Sequence, residues 1–389
     1  AVALWAAVAR FAGLMAIVGA HRLARRLGAP SSAAVVAAGL VVLTPDGGPR
    51  FLRLVAEAHA EPATAALALF ALERAVAGHR LAALGLVGAV SLLRPEAWPF
   101  LLAAAAWVWV RDPARRGVVV ALLVAVPVLW FGADWWGSGS PLHGADAAQV
   151  VADEPIGDRL RLAAERAWRS VSLPVWPAAA LSAAVALGRR DRAVLAIAGG
   201  ALGWMAVVVA MAAVMGYAAL SRFFLPSAAT LCVLAALSVV PVGQALRRIP
   251  SRAAARAVGA LVVIACVPSL WARAGALDEL ALEVRERHRV AETLESAIAG
   301  AGGRTPDLAC GPVALDPSGE AGPMRPALAW WLDLPLHAVE RPTGRGVATT
   351  FARAGGDVDR GLAASGATRL AVTSEWVVWT ICSAPSTGR

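Results

Sequence analysis

The feature that most constrains this chain is a succession of apolar stretches that begins in its first residues and stops abruptly near Trp271. About 20 apolar residues cross a hydrocarbon core of roughly 30 Å, and helices satisfy their own backbone while doing so. The runs predict spans near 4–20, 31–45, 62–77, 81–94, 97–110, 117–133, 174–188, 193–217, 223–243 and 257–271. Several are short, so their ends draw on flanking residues or lie inside a bundle. None resembles a cleavable signal peptide. Composition agrees, with 58% apolar and 16% charged residues against roughly 45–50% and about 25% in soluble domains. The excess must face lipid.

Charge supplies a direction. The 36 basic residues are all Arg, and the formal charge is +9. Residues 1–271 hold 24 Arg against 13 acids, and 272–389 hold 12 against 14. Alternate connections (21–26, 78–80, 111–116, 189–192 and 247–256) carry fourteen Arg against Asp112 and Asp191. Short cytoplasmic loops collect basic residues, which places these inside and puts 46–61, the Arg94-Pro95-Glu96 turn, 134–173 and 218–222 outside. The basic character is therefore topological, and no nucleic-acid partner is expected. A single helix through 81–110 would bury Arg-Pro-Glu at mid-bilayer and set Arg80 and 111–116 on opposite faces; a tight hairpin is predicted instead.

The expected fold is an all-α polytopic protein of the plasma membrane, with about ten transmembrane helices in 1–271 and a small extracytoplasmic α/β domain in 272–389. The outer loop 134–173 carries an amphipathic helix from Ile156 to Val171, predicted to lie on the membrane surface. Trp135 and Trp136 read as interfacial anchors or as a ledge for sugar stacking. In the tail, Leu280, Val284, Val290, Leu294 and Ile298 recur at helical spacing over 277–299, glycines at 300–303 end the helix, and 308–315 and 368–382 read as strands. Cys310 and Cys382 each fall in one of these strands, so a disulfide in an oxidising compartment and two free thiols are both open to them.

Ionisable groups at the outer membrane edge are the site candidates, because such groups are rare at membrane depth unless paired or functional. Glu57 and Glu61 are four apart and share a face if their stretch is helical. With His59 they suit a base or a divalent metal such as Mg or Mn, held chiefly by Glu61. The competing reading is a solvated helix start with acids at its positive end. Arg94, held by a rigid turn and oriented by Glu96, offers a fork for phosphate, against a hairpin arginine that snorkels to headgroups. Arg222 is a second isolated outer arginine and Arg10 a third. Asp134 and His143 flank the start of the long loop and are weighed against simple caps. No nucleophile elbow, P-loop or dinucleotide fingerprint is present.

Three motifs, His59-Ala60-Glu61-Pro62, Leu93-Arg94-Pro95-Glu96 and Arg222-Phe223-Phe224-Leu225-Pro226, give the chain a resemblance to the GT-C superfamily of polytopic glycosyltransferases. It is closest to the protein O-mannosyltransferase-like and aminoarabinose-transferase-like members of actinobacterial type. Cys310-Gly311 and Pro326-Ala327-Leu328-Ala329-Trp330-Trp331-Leu332-Asp333 resemble the tails of such proteins. The resemblance implies transfer of a sugar from a polyprenyl-phosphate donor to an acceptor of the cell envelope (glycan, lipid or protein) in one inverting displacement. It implies a second acid at Glu61 and phosphate-holding arginines at Arg94 and Arg222. The family's first acid would lie before Ala1, so the chain reads as N-terminally truncated and is expected to lack full activity. Alternatives are a transporter or flippase for a lipid-linked sugar, and a catalytically inactive scaffold. The absence of an internal repeat and the gathering of polar candidates on one side favour the enzyme.

Overall fold

The computed structural model describes residues 2–44, 50–149, 154–247, 275, 278–302, 313–316, 324–334, 338–340 and 349–381. The span expected at 257–271, Cys310 and Cys382 lie outside the described residues. The chain forms two compact units, one of residues 1–134 and 141–280, the other of 135–140 and 281–389.

The first unit is a helical bundle. Its helices are α1 (Val2–Arg26), α2 (Ser31–Val42), α3 (Arg50–Ala56), α4 (Glu61–Val76), α5 (Arg80–Leu93), α6 (Trp98–Arg111), α7 (Arg116–Ser138), α8 (His143–Ala148), α9 (Ile156–Arg169), α10 (Val175–Arg189), α11 (Arg192–Met215), α12 (Leu225–Leu237) and α13 (Val239–Arg247). Among the described residues, four stretches are long and apolar enough to cross a membrane: Leu4–Arg26, Pro113–Ser138, Arg192–Met215 and Ser221–Ala245. Helix α12 is the hub, buried along almost its whole length between α10, α2, α11 and α4. It is apolar all round, as a helix enclosed by others must be. By contrast α7 turns Val118, Val120, Val124, Val128 and Leu129 outward, and α1 exposes Leu4, Phe11, Leu14 and Val18. A surface this apolar is of the kind that meets lipid or another protein rather than water.

Small residues set the closeness of packing. Ala16, Ala20, Ala24, Ala33, Ala34 and Ala37 are buried where α1 and α2 meet their neighbours, as expected where helices associate without a hydrophobic drive. The 81–110 stretch is a hairpin, as predicted. Pro95 disfavours helical backbone at Arg94, which is extended (φ −147°, ψ 118°), and one 3-10 turn at Pro95–Ala97 leads into α6. Trp98 Nε1 locks the turn by donating to the Ser91 carbonyl at 3.1 Å.

Two expectations for this unit are corrected. Helix α7 does not stop before the long loop but runs to Ser138, because Asp134-Trp135-Trp136 keeps helical spacing. The 57–61 stretch is not one helix: α3 ends at Ala56, Ala58 adopts a left-handed φ of 56°, and α4 starts at Glu61, so Glu57 and Glu61 share no helix face. The expected amphipathic helix is present as α9, with Ala163 and Ala167 buried and α11 packed against it.

In the second unit, the helix α14, which runs over 278–300 and belongs to this unit from residue 281, is followed by β1 (Val313–Leu315), α15 (Arg325–Trp331), β2 (Val339–Glu340), β3 (Thr349–Arg353), α16 (Asp357–Ala364), β4 (Thr368–Val372) and β5 (Trp376–Thr380). The mixed sheet runs β2-β1-β3-β5-β4, with β1 parallel to β2 and β3, and β5 antiparallel to β3 and β4. The stretch 368–382 is thus two strands and not one. Its turn follows Val372, where Thr373 Oγ1 accepts from the Trp376 amide at 3.0 Å. Val290, Leu294 and Ile298 of α14 pack with Phe351, Trp376 and Val378 on one sheet face, and Val358 and Leu362 of α16 cover Ala352, Val377 and Trp379 on the other. Covering on both faces explains why β3 and β5 are buried without alternation.

Candidate functional site

The site is built where three helix ends meet. Glu61 is the first residue of α4, with Pro62 behind it in the first turn. Arg94 caps the end of α5, and Arg222 lies in the 3-10 turn Ser221–Phe224 that leads into α12. Gly216 ends α11 with a φ of 69°, and Ala219 follows at 40°, which folds the 216–220 segment back over this end of the bundle. Trp204 Nε1 pins the turn by donating to the Phe223 carbonyl at 2.8 Å.

Glu61 is 2% exposed. Its Oε1 accepts a hydrogen bond from Arg94 Nη2, and Arg222 Nε lies 3.0 Å from the same oxygen. Both guanidiniums flank the ring of Phe223, Arg94 at 4.4 Å and Arg222 at 5.5 Å from its centroid. A ring face between two cations offsets part of their mutual repulsion. The other oxygen, Oε2, has no hydrogen-bond partner among the described residues; His59 Nδ1 stands 3.7 Å away. His59 Nε2 is 2.9 Å from Glu57 Oε2, so the imidazole bridges the two carboxylates that no helix face unites.

Positive charge exceeds negative at this centre. Burial, and then repulsion by Arg53, Arg222 and Arg166, lowers the Arg50 guanidinium to about 10, against the opposing pull of Glu61. Arg166 anchors α9 by donating to the Ala218 carbonyl at 2.6 Å. Glu61, in direct contact with Arg94 and Arg222, holds these guanidiniums in place, and the arginines outnumber the acids around it, a surplus that attracts anions. The same arrangement is a poor fit for a divalent cation, since Glu61 Oε1 already carries two guanidiniums. Among the described residues no group of three or more His, Cys, Asp or Glu is placed to hold a metal.

Beside this centre opens a cavity of about 760 Å3. Arg94 and Arg222 supply its charge, and Trp98, Trp130, Phe131, Phe223 and Tyr217 supply aromatic wall. Trp98 meets Trp130 and Phe131 edge to face, with centroids 6.1 and 5.8 Å apart. Tyr217 stacks on Phe223 at 5.1 Å and donates its hydroxyl to Glu96 Oε1 at 2.6 Å. Burial, reinforced by the Glu96 charge, pushes the Tyr217 phenol well above its usual range.

Of the residues singled out from sequence, Glu61, Arg94 and Arg222 therefore converge, with His59 and Glu57 at their edge. Glu96 is fully buried and accepts from Tyr217, which also interacts with Arg94, so its link to Arg94 runs through that phenol. Arg10 donates to the Ala56 carbonyl at 3.3 Å and braces the end of α3. Asp134 accepts from the Gly144 amide at 2.9 Å at the start of α8. His143 is exposed there, while its neighbours Leu142 and Gly144 line the cavity. Arg50, Arg166 and Tyr217 were not anticipated. Arg50 carried the same signal as Arg94, an arginine in a connection on the arginine-poor side, and Tyr217 is the single tyrosine of the chain.

These features define a mostly helical membrane protein with a small C-terminal sheet. Compared with protein-family models, curated proteins and solved structures, the chain matches none.

Proposed function

We propose that the chain is a membrane glycosyltransferase of GT-C type, moving a sugar from a polyprenyl-phosphate donor to a cell-envelope acceptor by one inverting displacement. The observation that carries the reading is the convergence of Arg94 and Arg222 on buried Glu61 at the edge of a large, aromatic-walled cavity. A donor of this class joins a charged phosphate to an apolar chain and a stackable sugar, and the cavity offers a partner for each part. In the displacement, the acceptor hydroxyl forms a bond to the anomeric carbon as the bond from that carbon to the phosphate oxygen breaks. The lipid phosphate leaves with the electron pair, and the acceptor proton passes to a base. Arg94 and Arg222 neutralise the charge gathering on the phosphate, where preorganised cations lower the barrier most. Glu61 fixes both forks.

In this reading about ten helices span the plasma membrane, the arginine-rich connections are cytoplasmic, and the site and the C-terminal unit face outward. The test is transfer from a polyprenyl-phosphate sugar by the full-length protein in proteoliposomes. Glu61→Gln and Arg94→Ala are expected to abolish transfer while the protein still inserts; wild-type turnover in both would refute the proposal.

A further inference from the structure

The other end of the bundle carries a second cavity, of about 490 Å3, between the α4–α5 and α6–α7 turns. Its charged lining is Arg74, His79, Arg80 and Arg115, with Asp112 as the one acid. Helix α4 reaches this end at Glu73, 1% exposed, which accepts from Arg74 and lies 3.5 Å from Arg22 and 3.4 Å from Arg26. Three guanidiniums around one carboxylate leave surplus positive charge beside the cavity, and Arg74 belongs to both.

Arg80 is the most telling residue. Its Nε is buried with no hydrogen-bond partner among the described residues, while Nη1 reaches the Arg111 carbonyl at 3.3 Å. An unmade bond from a buried charged donor costs free energy unless an acceptor arrives. The guanidinium lies over Trp107, 5.7 Å from the ring centroid, and Arg116 lies over Trp109 at 5.0 Å. Both tryptophans are substantially exposed, the arrangement of side chains seated at a membrane–water boundary. The niche therefore opens where an anionic group carried by lipid is most concentrated.

We propose that this niche binds the phosphate group of an acidic phospholipid headgroup, with Arg80 and Arg115 as forks and the partly exposed Arg74, held by Glu73, between them. A guanidinium fork matches phosphate oxygens in geometry as well as charge, and basic pockets between transmembrane helices are suited to such headgroups. The site is separate from the Glu61 centre: the two carboxylates of α4 are 12 positions apart in sequence, about 18 Å at 1.5 Å per residue. It stands or falls independently of the proposed transferase activity.

The test is native mass spectrometry of the full chain released from nanodiscs of equal phosphatidylglycerol and phosphatidylcholine. Retained phosphatidylglycerol is expected to exceed phosphatidylcholine. Each of Arg80→Ala and Arg115→Gln should weaken it about fivefold, from about 1 kcal/mol per basic residue near the surface. Arg115 is exposed, so its substitution leaves folding intact should Arg80→Ala fail to fold. Inorganic phosphate is the second arm: competition at millimolar concentration means that the bare phosphate is the ligand, and its absence means that the lipid presents it. Equal retention of the two lipids, or a preference unchanged in Arg115→Gln, would overturn the proposal.

Discussion

Replacing Glu61 with Gln removes the one negative charge that holds Arg94 and Arg222 together while keeping the side chain's shape. Glu61 is 2% exposed, and the side chains of Arg94 and Arg222 are 16% and 35% exposed. Breaking a fully buried ion pair on one side costs about 3–5 kcal/mol, but water reaches Arg222 and screens its share. A loss of about 2–3 kcal/mol is expected, which for a unit of this size lowers Tm by roughly 5–10 °C. The assay is thermal unfolding in detergent, with and without a short-chain polyprenyl phosphate. The anion should raise the Tm of Glu61→Gln more than that of wild type, because two guanidiniums have lost their counter-ion and the ligand replaces it. The double substitution Glu61→Gln with Arg94→Ala should cost less than the sum of the single ones, since the second removes a cation that the first left unpaired. An unchanged Tm in Glu61→Gln, or equal stabilisation by the anion in both proteins, would refute the reasoning.

Tyr217 should not ionise in the folded protein. Its raised pKa means that the native state favours the neutral phenol, so the stability it contributes is complete below about pH 10, the unfolded value, and is lost above it. As the single tyrosine, it gives a clean tyrosinate absorbance band; a folded protein titrating near that pH would contradict the burial of Tyr217 and its contact with Glu96. At Ala58, φ of 56° strains any side chain, so Ala58→Gly should stabilise by about 1 kcal/mol and Ala58→Val should destabilise, as read from Tm. In the second unit, Trp376 is fully buried and donates to the Val290 carbonyl at 3.0 Å. Trp376→Ala should cost about 3–5 kcal/mol, seen as faster proteolysis within 281–389 while the bundle resists.

Much of the bundle was legible because lipid imposes a simple rule on sequence. Apolar runs must be helices, prolines break them where the backbone turns, and arginine marks one end; hence the hairpin at Arg94-Pro95-Glu96 and the isolated Arg222 could be read directly. Periodicity failed where two kinds of order share one composition. The Asp134-Trp135-Trp136 stretch looks like a loop start but continues α7, and 368–382 is divided by Thr373-Ser374-Glu375 into an exposed strand β4 and a buried strand β5 with no shared alternation.

Charge placement along the chain was thus enough to pick out Glu61, Arg94 and Arg222 as residues out of place. Only packing could decide that the three share one oxygen, because they are brought together by the ends of α4, α5 and α12, as far apart in sequence as residues 61 and 222. Packing also inserted Tyr217 between Glu96 and Arg94, a link that sequence neighbourhood could not show. A carboxylate's partner is set by which cation or donor shares its buried space, and that distance is a property of the bundle and not of the chain.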